Sequence, residues 1–209
     1  YEIASCLVGS EMCIRDRDAH AGEVEIFEDP SAKGGAFANM YEGTDTSYGK
    51  ITNGKLHAVI DSGSVITFYH EDGRVLLKEH FRRLRDEESM PLNIMGREYS
   101  NGVGDNFRIV ARFVARKGEK IFGMGQYQQH ELDLKGCMLE LAQRNSQVSV
   151  PFYLSSIGYG FLWNNPGVGQ VMFANNGTEW VTESGKEIDY LVIAGDTPAE
   201  IVENYMTLT

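Results

Sequence analysis

In the run QHELDLKG, Glu131 and Asp133 stand two positions apart. On a strand that spacing puts both carboxylates on one face, about 7 Å from each other along the chain. Glycoside hydrolysis uses paired carboxyls roughly 5 to 9 Å apart, so acid–base chemistry is one reading of the pair. A solvated hairpin edge is the other. The stretch leading into it, residues 121–130, reads IFGMGQYQQH. Gly123 and Gly125 supply G-x-G, but position 128 is Gln and no Lys-Ser or Lys-Thr pair follows. Neither a dinucleotide fingerprint nor a P-loop is complete. Glycines beside a strand mark a bulge or a close backbone approach instead. His20, His57, His70, His80 and His130 include no H-x-H or H-x-x-x-H pair, which leaves no zinc set. Ser155 and Ser156 lack the G-x-S-x-G turn of a nucleophilic serine.

Neutral hydrogen-bonding groups form the stronger pattern. Gln126, Gln128, Gln129 and His130 fall together, as do Gln143, Arg144, Asn145, Ser146 and Gln147, and again Trp163, Asn164 and Asn165. A carboxamide both donates and accepts, so it matches vicinal sugar hydroxyls without burying a charge. Aromatic faces cover the apolar side of a pyranose. The competing reading makes these residues turn formers and polar sheet edges. WNNPG (163–167) has the composition of a turn after a strand, and NGT (176–178) is a turn before it is a glycosylation acceptor. Together these residues suggest part of a surface for neutral polyols, without its catalyst.

The elements that must carry these groups are strands. KLHAVID (55–61), SVITFYHE (64–71) after a Ser62-Gly63 turn, and GRVLLKEH (73–80) after Asp72-Gly73 alternate apolar and polar residues, a hairpin pattern. NFRIVARFVAR (106–116) puts Phe107, Ile109, Ala111 and Phe113 on one face. EKIFGMG, CMLELAQ, VPFYLSS, YGFLWNN, GQVMFAN, TEWVTES and EIDYLVIAG follow with Gly, Asn or Ser-Gly between them. Such spacing predicts an all-β antiparallel sandwich rather than βαβ units. One helix is predicted at the end, in TPAEIVENYMTLT: Thr197 caps, Pro198 takes the first helical position, and Glu200 completes a capping box. Ile201, Tyr205 and Leu208 then make an apolar stripe. No glycine cap follows, so the chain reads as cut short of its natural end.

The bulk numbers narrow the partners. With 209 residues the chain can bury a real core. A net charge of −11 repels nucleic acid, and no apolar run nears the roughly 18 residues of a membrane span. Neither nucleic acid nor membrane is expected as a partner, and no cofactor or metal is expected. Residues 1–17, YEIASCLVGSEMCIRDR, follow neither strand nor helix period and lack the layout of a secretion signal. The run SCLVGSEMCIRDR resembles a sequencing adapter translated into protein; the alternative is a disordered native tail. Setting 1–17 apart from the domain 18–209 removes Cys6 and Cys13 and leaves Cys137 alone, with no internal disulfide. A reducing, cytoplasmic location is expected, with export left open because the true N-terminus is expected to be missing.

KIFGMGQYQQHELDLKG, LELAQRNSQVSVPFYLSSIGYGFLWNNPGVGQVMF and EIDYLVIAGDTPAEIVENYMTLT, preceded in order by GRVLLKEHFRRLRDEESMPLNIMGREY and FRIVARFVARKGEKIFGMG, resemble the N-terminal region of glycoside hydrolase family 31, in its bacterial α-xylosidase and α-glucosidase branches. The resemblance implies a galactose-mutarotase-like β-sandwich whose terminal helix leads into a (β/α)8 barrel. That barrel takes about 250 residues and carries both catalytic aspartates, so catalytic residues are expected to be absent from this chain. It also implies that the loop AQRNSQVSVPF borders the leaving-group side of the pocket. On that basis Arg144 and Asn145 are the expected substrate contacts, with Gln143 and Ser146 beside them, and residues 123–130 shape the same rim. The implied partners are an α-linked glucoside or xyloside and the C-terminal barrel of the same parent chain. Many α-glucosidases of the family it resembles carry Arg-Asp or Asn-Asp where this chain has Arg144-Asn145, and the lost carboxylate leaves the leaving group open. The alternatives are a free-standing carbohydrate-binding module and a mutarotase-like sugar epimerase using His130 and Glu131.

Overall fold

The computed structural model of the chain describes residues 10–12, 23–26, 47–61, 64–80, 82–83 and 93–208. Cys6, Cys13, His20 and the Ser62-Gly63 turn lie outside the described residues. Among those described, seventeen strands precede one helix. The all-β class follows from the period-two alternation, and the strands meet the sequence expectation closely from residue 55 onward.

Five strands form an antiparallel meander in chain order: β2 (Glu23–Ile26), β3 (Ser47–Asn53), β4 (Leu56–Asp61), β5 (Ile66–His70) and β6 (Val75–Lys78). Its turns are local chemistry. Gly54 at φ +54° makes the tight β3–β4 turn, and Gly73 at φ +86° follows Asp72 in the β5–β6 turn. A second sheet runs β12 (Met138–Leu141), β15 (Gly169–Phe173), β16 (Thr178–Gly185), β10 (Phe107–Phe113) and β9 (Arg97–Asn101). The third runs β1 (Ser10–Met12), β17 (Ile188–Ala194), β14 (Tyr159–Trp163), β13 (Val148–Ser155) and β11 (Ile121–Gln126). Only its β1–β17 pair is parallel among the described ladders. A short ribbon, β7 (Arg82–Arg83) with β8 (Asn93–Ile94), stands apart.

The first two sheets join into one layer. Glu79 bridges Phe113, His80 N–H donates to Arg112 O at 2.8 Å, and Val114 N–H donates to Lys78 O at 2.9 Å. Rings from this layer meet rings from the third sheet across the core. Phe113 packs edge-on against Phe161 (5.3 Å) and Tyr190 (5.4 Å), Phe68 reaches Tyr190 (6.2 Å), and Trp180 stacks on both Phe161 (5.2 Å) and Trp163 (5.6 Å). These are offset and edge-to-face arrangements, worth about 0.5–1.5 kcal/mol per pair beyond burial itself. Helix α1 (Pro198–Leu208) lies on the outer face of the third sheet. Thr197 Oγ1 accepts from Glu200 N–H, while the Glu200 carboxylate reaches Asp196 N–H, one residue before the cap. Ile201 is buried and Tyr205 stacks on Phe152 at 4.1 Å. The Leu208 side chain lies outside the described residues.

Candidate functional site

The strand pairings place several connections at one end of the sandwich. β11 and β14 end there, β13 and β17 begin there, and β12 delivers residues 142–147 to β13 across the two layers. The stretch 121–130 meets this end through a backbone device. Gly123, Met124 and Gly125 have φ of +115°, +70° and +93°. The β11–β13 register jumps from Gly123↔Tyr153 to Gly125↔Ser149, so Met124 alone faces three residues of β13. Pro151 is among them and offers no N–H to a ladder. A Cβ on Gly125 would overlap Val148 O and lie 2.8 Å from Val150 N, and one on Gly123 would lie 2.9 Å from Phe152 O. These glycines therefore serve a bulge and a close approach, not a phosphate. Met124 turns fully into the core.

Beyond the bulge, residues 127–137 are irregular rather than stranded. That corrects the same-face geometry proposed for Glu131 and Asp133. Asp133 Oδ1 accepts from Lys135 N–H at 3.1 Å and Ile121 N–H at 3.0 Å, a turn that ties the segment to the start of β11. Glu131 and His130 are both exposed, and neither is held toward a common substrate position by a strand. Cys137 is half-buried, and burial, with Glu131 and Asp133 nearby, pushes its thiol pKa up.

The loop 142–147 is tightly held. Gln147 N–H donates to Arg144 O at 3.1 Å, and Ser146 takes φ +70°. Gln143 Nε2 donates to Ser149 O at 2.7 Å while its Oε1 accepts from Ser149 N–H at 3.1 Å. The Arg144 guanidinium pairs with the Glu140 carboxylate, four residues earlier on β12. Asn145 and Ser146 stand exposed at the tip. From the other segment, the Tyr127 hydroxyl lies 2.9 Å from Glu140 O and 2.8 Å from Ser149 Oγ. Burial raises the Tyr127 pKa, with the Ser149 bond opposing, so the phenol stays protonated. Of the four expected contacts, the structure gathers all four in one loop, with three outward and Gln143 turned back on the backbone. Tyr127 went unread in the sequence. Residues 123–130 carry a rim expectation as a segment, but nothing local says where a phenol hydroxyl finds its partners.

The third amide cluster is structural. Trp163 is fully buried and donates to Thr182 Oγ1 at 2.9 Å. Asn164 Nδ2 donates to Asp189 Oδ2 at 2.5 Å, and Asn165 Nδ2 donates to Glu187 O at 3.2 Å. No ring is left there to cover a sugar. Two further carboxylates, Glu79 and Glu119, are 2% and 5% exposed inside the sandwich, out of reach of any substrate. Glu119 Oε1 accepts from Ser155 Oγ at 2.6 Å and Tyr159 OH at 2.9 Å, and Lys135 Nζ sits 3.5 Å from Oε2. Burial raises the Glu79 pKa against the opposing pull of Arg97, whose Nε lies 3.3 Å from Oε1. Among the described residues no three of His, Cys, Asp and Glu are grouped to hold a metal ion, and no helix is long and apolar enough to cross a membrane.

A two-layer antiparallel sandwich with a terminal helix and an ordered polar loop at one end is the class of domain these observations define. No family model matches the chain. It is 44% identical over 170 residues to the uncharacterized family 31 glucosidase ORF2 of Pseudescherichia vulneris, covering 76% of this chain and 32% of that protein. It is 34% identical over 112 residues to an α-xylosidase of Saccharolobus solfataricus, covering 49% of this chain and 15% of that one. Among solved structures it matches a GH31 α-xylosidase from a soil metagenome, complexed with xylose. That match has a TM-score of 0.74 and 41% identity, over 88% of this chain and 26% of that one. The dextranase of Flavobacterium johnsoniae, at 18% identity and a TM-score of 0.61, shares the fold over 88% of this chain and 20% of its own. The chain belongs to glycoside hydrolase family 31. It spans about a third of the first relative and less of the others.

Proposed function

We propose that residues 18–209 form the N-terminal domain of a retaining α-glycosidase acting on α-linked xylosides or glucosides. In this reading the loop 142–147 borders the leaving-group side of the pocket, and the nucleophile and acid/base belong to a barrel outside these residues. The carrying observation is the match to the xylose-bound α-xylosidase, at 41% identity over only 26% of that chain. The site agrees with it: a rim of guanidinium, carboxamide and hydroxyl, and buried carboxylates that no substrate can reach.

The division of labour follows from the chemistry. A retaining glycosidase needs two carboxyls about 5–5.5 Å apart on opposite sides of the scissile bond. A rim has a different task, which is to hold the departing sugar so that its glycosidic oxygen meets the acid. Asn145 can donate to one hydroxyl and accept from the next without bringing charge. Arg144, paired with the exposed Glu140 carboxylate, keeps guanidinium N–H groups for a second hydroxyl pair.

The test has two parts. The purified 209-residue chain is assayed with aryl α-xyloside and aryl α-glucoside, and no turnover is expected. A chimera in which this chain replaces the matching segment of the Pseudescherichia vulneris protein is expected to hydrolyse one of them and an α-linked disaccharide with the same non-reducing sugar, with the disaccharide KM raised in Arg144→Ala and Asn145→Ala. Turnover by the chain alone would refute the proposal, as would an active chimera whose disaccharide KM ignores both substitutions.

A further inference from the structure

We infer that Tyr127 and Gln143 are positioning residues of the rim, which fix the base of the loop 142–147 from two sides. The functional meaning of this inference rests on the rim reading proposed above; its geometry does not.

The proton count decides how Tyr127 acts. A phenol has one proton, and the Glu140 carbonyl can only accept. Tyr127 therefore donates to Glu140 O at 2.9 Å, and the bond of 2.8 Å to Ser149 Oγ is completed by the serine proton. Glu140 and Ser149 each lie one residue inside the strands that flank the loop, one in each layer. A single hydroxyl thus closes the base of the loop between the two sheets. The phenol arrives there because the bulge at Gly123, Met124 and Gly125 carries β11 against β13 before the chain turns away.

Gln143 completes the hold. β14 pairs with β13 only from Phe152 onward. At Ser149 the Gln143 side chain supplies what a strand would: an acceptor for N–H and a donor for C=O, at 3.1 and 2.7 Å. One N–H and the oxygen of the carboxamide are engaged, so its orientation is fixed, and swinging it away would orphan the backbone groups of Ser149, itself a buried residue. Between these fixed points the Arg144–Gln147 turn leaves the Arg144 head, Asn145 and Ser146 projecting. A rim ordered before the sugar arrives loses less entropy on binding.

Amide exchange followed by NMR on the full 209-residue chain tests this. Tyr127→Phe is expected to speed exchange at Gln147 and Ser149 about tenfold, with Tyr153 and Phe161 unchanged. Gln143→Ala is expected to free the Ser149 amide with no sugar present. Ser149→Thr keeps a hydroxyl and should keep the slow exchange, whereas adding Ser149→Ala to Tyr127→Phe should speed it no further. Unchanged loop exchange in Tyr127→Phe overturns the inference, and so does acceleration spread evenly over β13 and β14. In the active chimera, Tyr127→Phe is expected to raise the disaccharide KM several-fold while kcat stays within about twofold; a fall confined to kcat overturns it. An inactive chimera counts against the rim reading alone, because the exchange result stands or falls without it.

Discussion

Ile201 of the terminal helix occupies the space that a side chain at Gly160 would need. A Cβ on Gly160 would lie 2.7 Å from Ile201 Cγ2, and one on Gly195 would lie 2.8 Å from Ile201 Cγ1. The helix is seated by two absent side chains on the outer face of the third sheet, and Tyr205 continues the contact by stacking on Phe152.

Gly160→Ala should therefore lift the helix without disturbing the two-layer core. Overpacking of this kind costs about 1–3 kcal/mol. Urea unfolding should show the loss, and the amides of α1 should exchange faster than those of β14.

Glycines that share a left-handed backbone should separate by what surrounds them. Gly125 (φ +93°) lies against Val148 and Val150, whereas Gly136 (φ +91°) has open space where a Cβ would go. Gly136→Ala should cost about 1–2 kcal/mol, the conformational term alone. Gly125→Ala should cost about 3 kcal/mol or more, because backbone must move as well. Equal midpoints for the two variants in denaturant titration would contradict the close approach.

Tyr159→Phe removes one donor from a buried carboxylate. Glu119 Oε1 would keep only Ser155 Oγ, and Tyr153 would lose the hydroxyl 3.0 Å away. A loss of about 1–3 kcal/mol is expected. The Tyr159 phenol itself does not titrate in any working range, since burial, then Tyr153 and Glu119, hold its pKa far up.

The pH profile of stability should carry the mark of Glu79. Burial raises its folded pKa above the unfolded value, more than Arg97 and the Ile66 N–H lower it. The folded state then binds the proton more tightly, so its contribution favours folding below the unfolded pKa. It is lost as pH climbs from the ordinary glutamate value through the raised one. Urea midpoints should fall across that window in the wild type, and Glu79→Gln should flatten this part of the curve. A wild-type midpoint that rises through the same window would show the Arg97 pairing to dominate instead.

Much of the scaffold was legible because it is governed by near neighbours. The alternation in KLHAVID and its successors, Asp72-Gly73 at a turn, and Thr197-Pro198 with Glu200 at a helix start each act within a few residues. Resemblance to family 31 sequences singled out the loop 142–147, in which Arg144, Asn145 and Ser146 are exposed. Of the two readings of Glu131 and Asp133, the shared strand face does not form, since the Asp133 carboxylate closes a turn onto Ile121.

Amides show most plainly where local reading stops. Gln143, Asn145, Asn164 and Asn165 have the same donors and acceptors, and as letters in a sequence they are equally suited to a sugar. Chain pairing made Asn164 a partner of Asp189 and Gln143 a partner of Ser149, and left Asn145 exposed at the loop tip. Sequence by itself determined the strands, the turns, the helix cap and the family. Only the tertiary structure decided which polar groups remain available, because a hydrogen bond to a buried backbone group outcompetes water and ligand alike, and its partner comes from a strand that folding alone brings near.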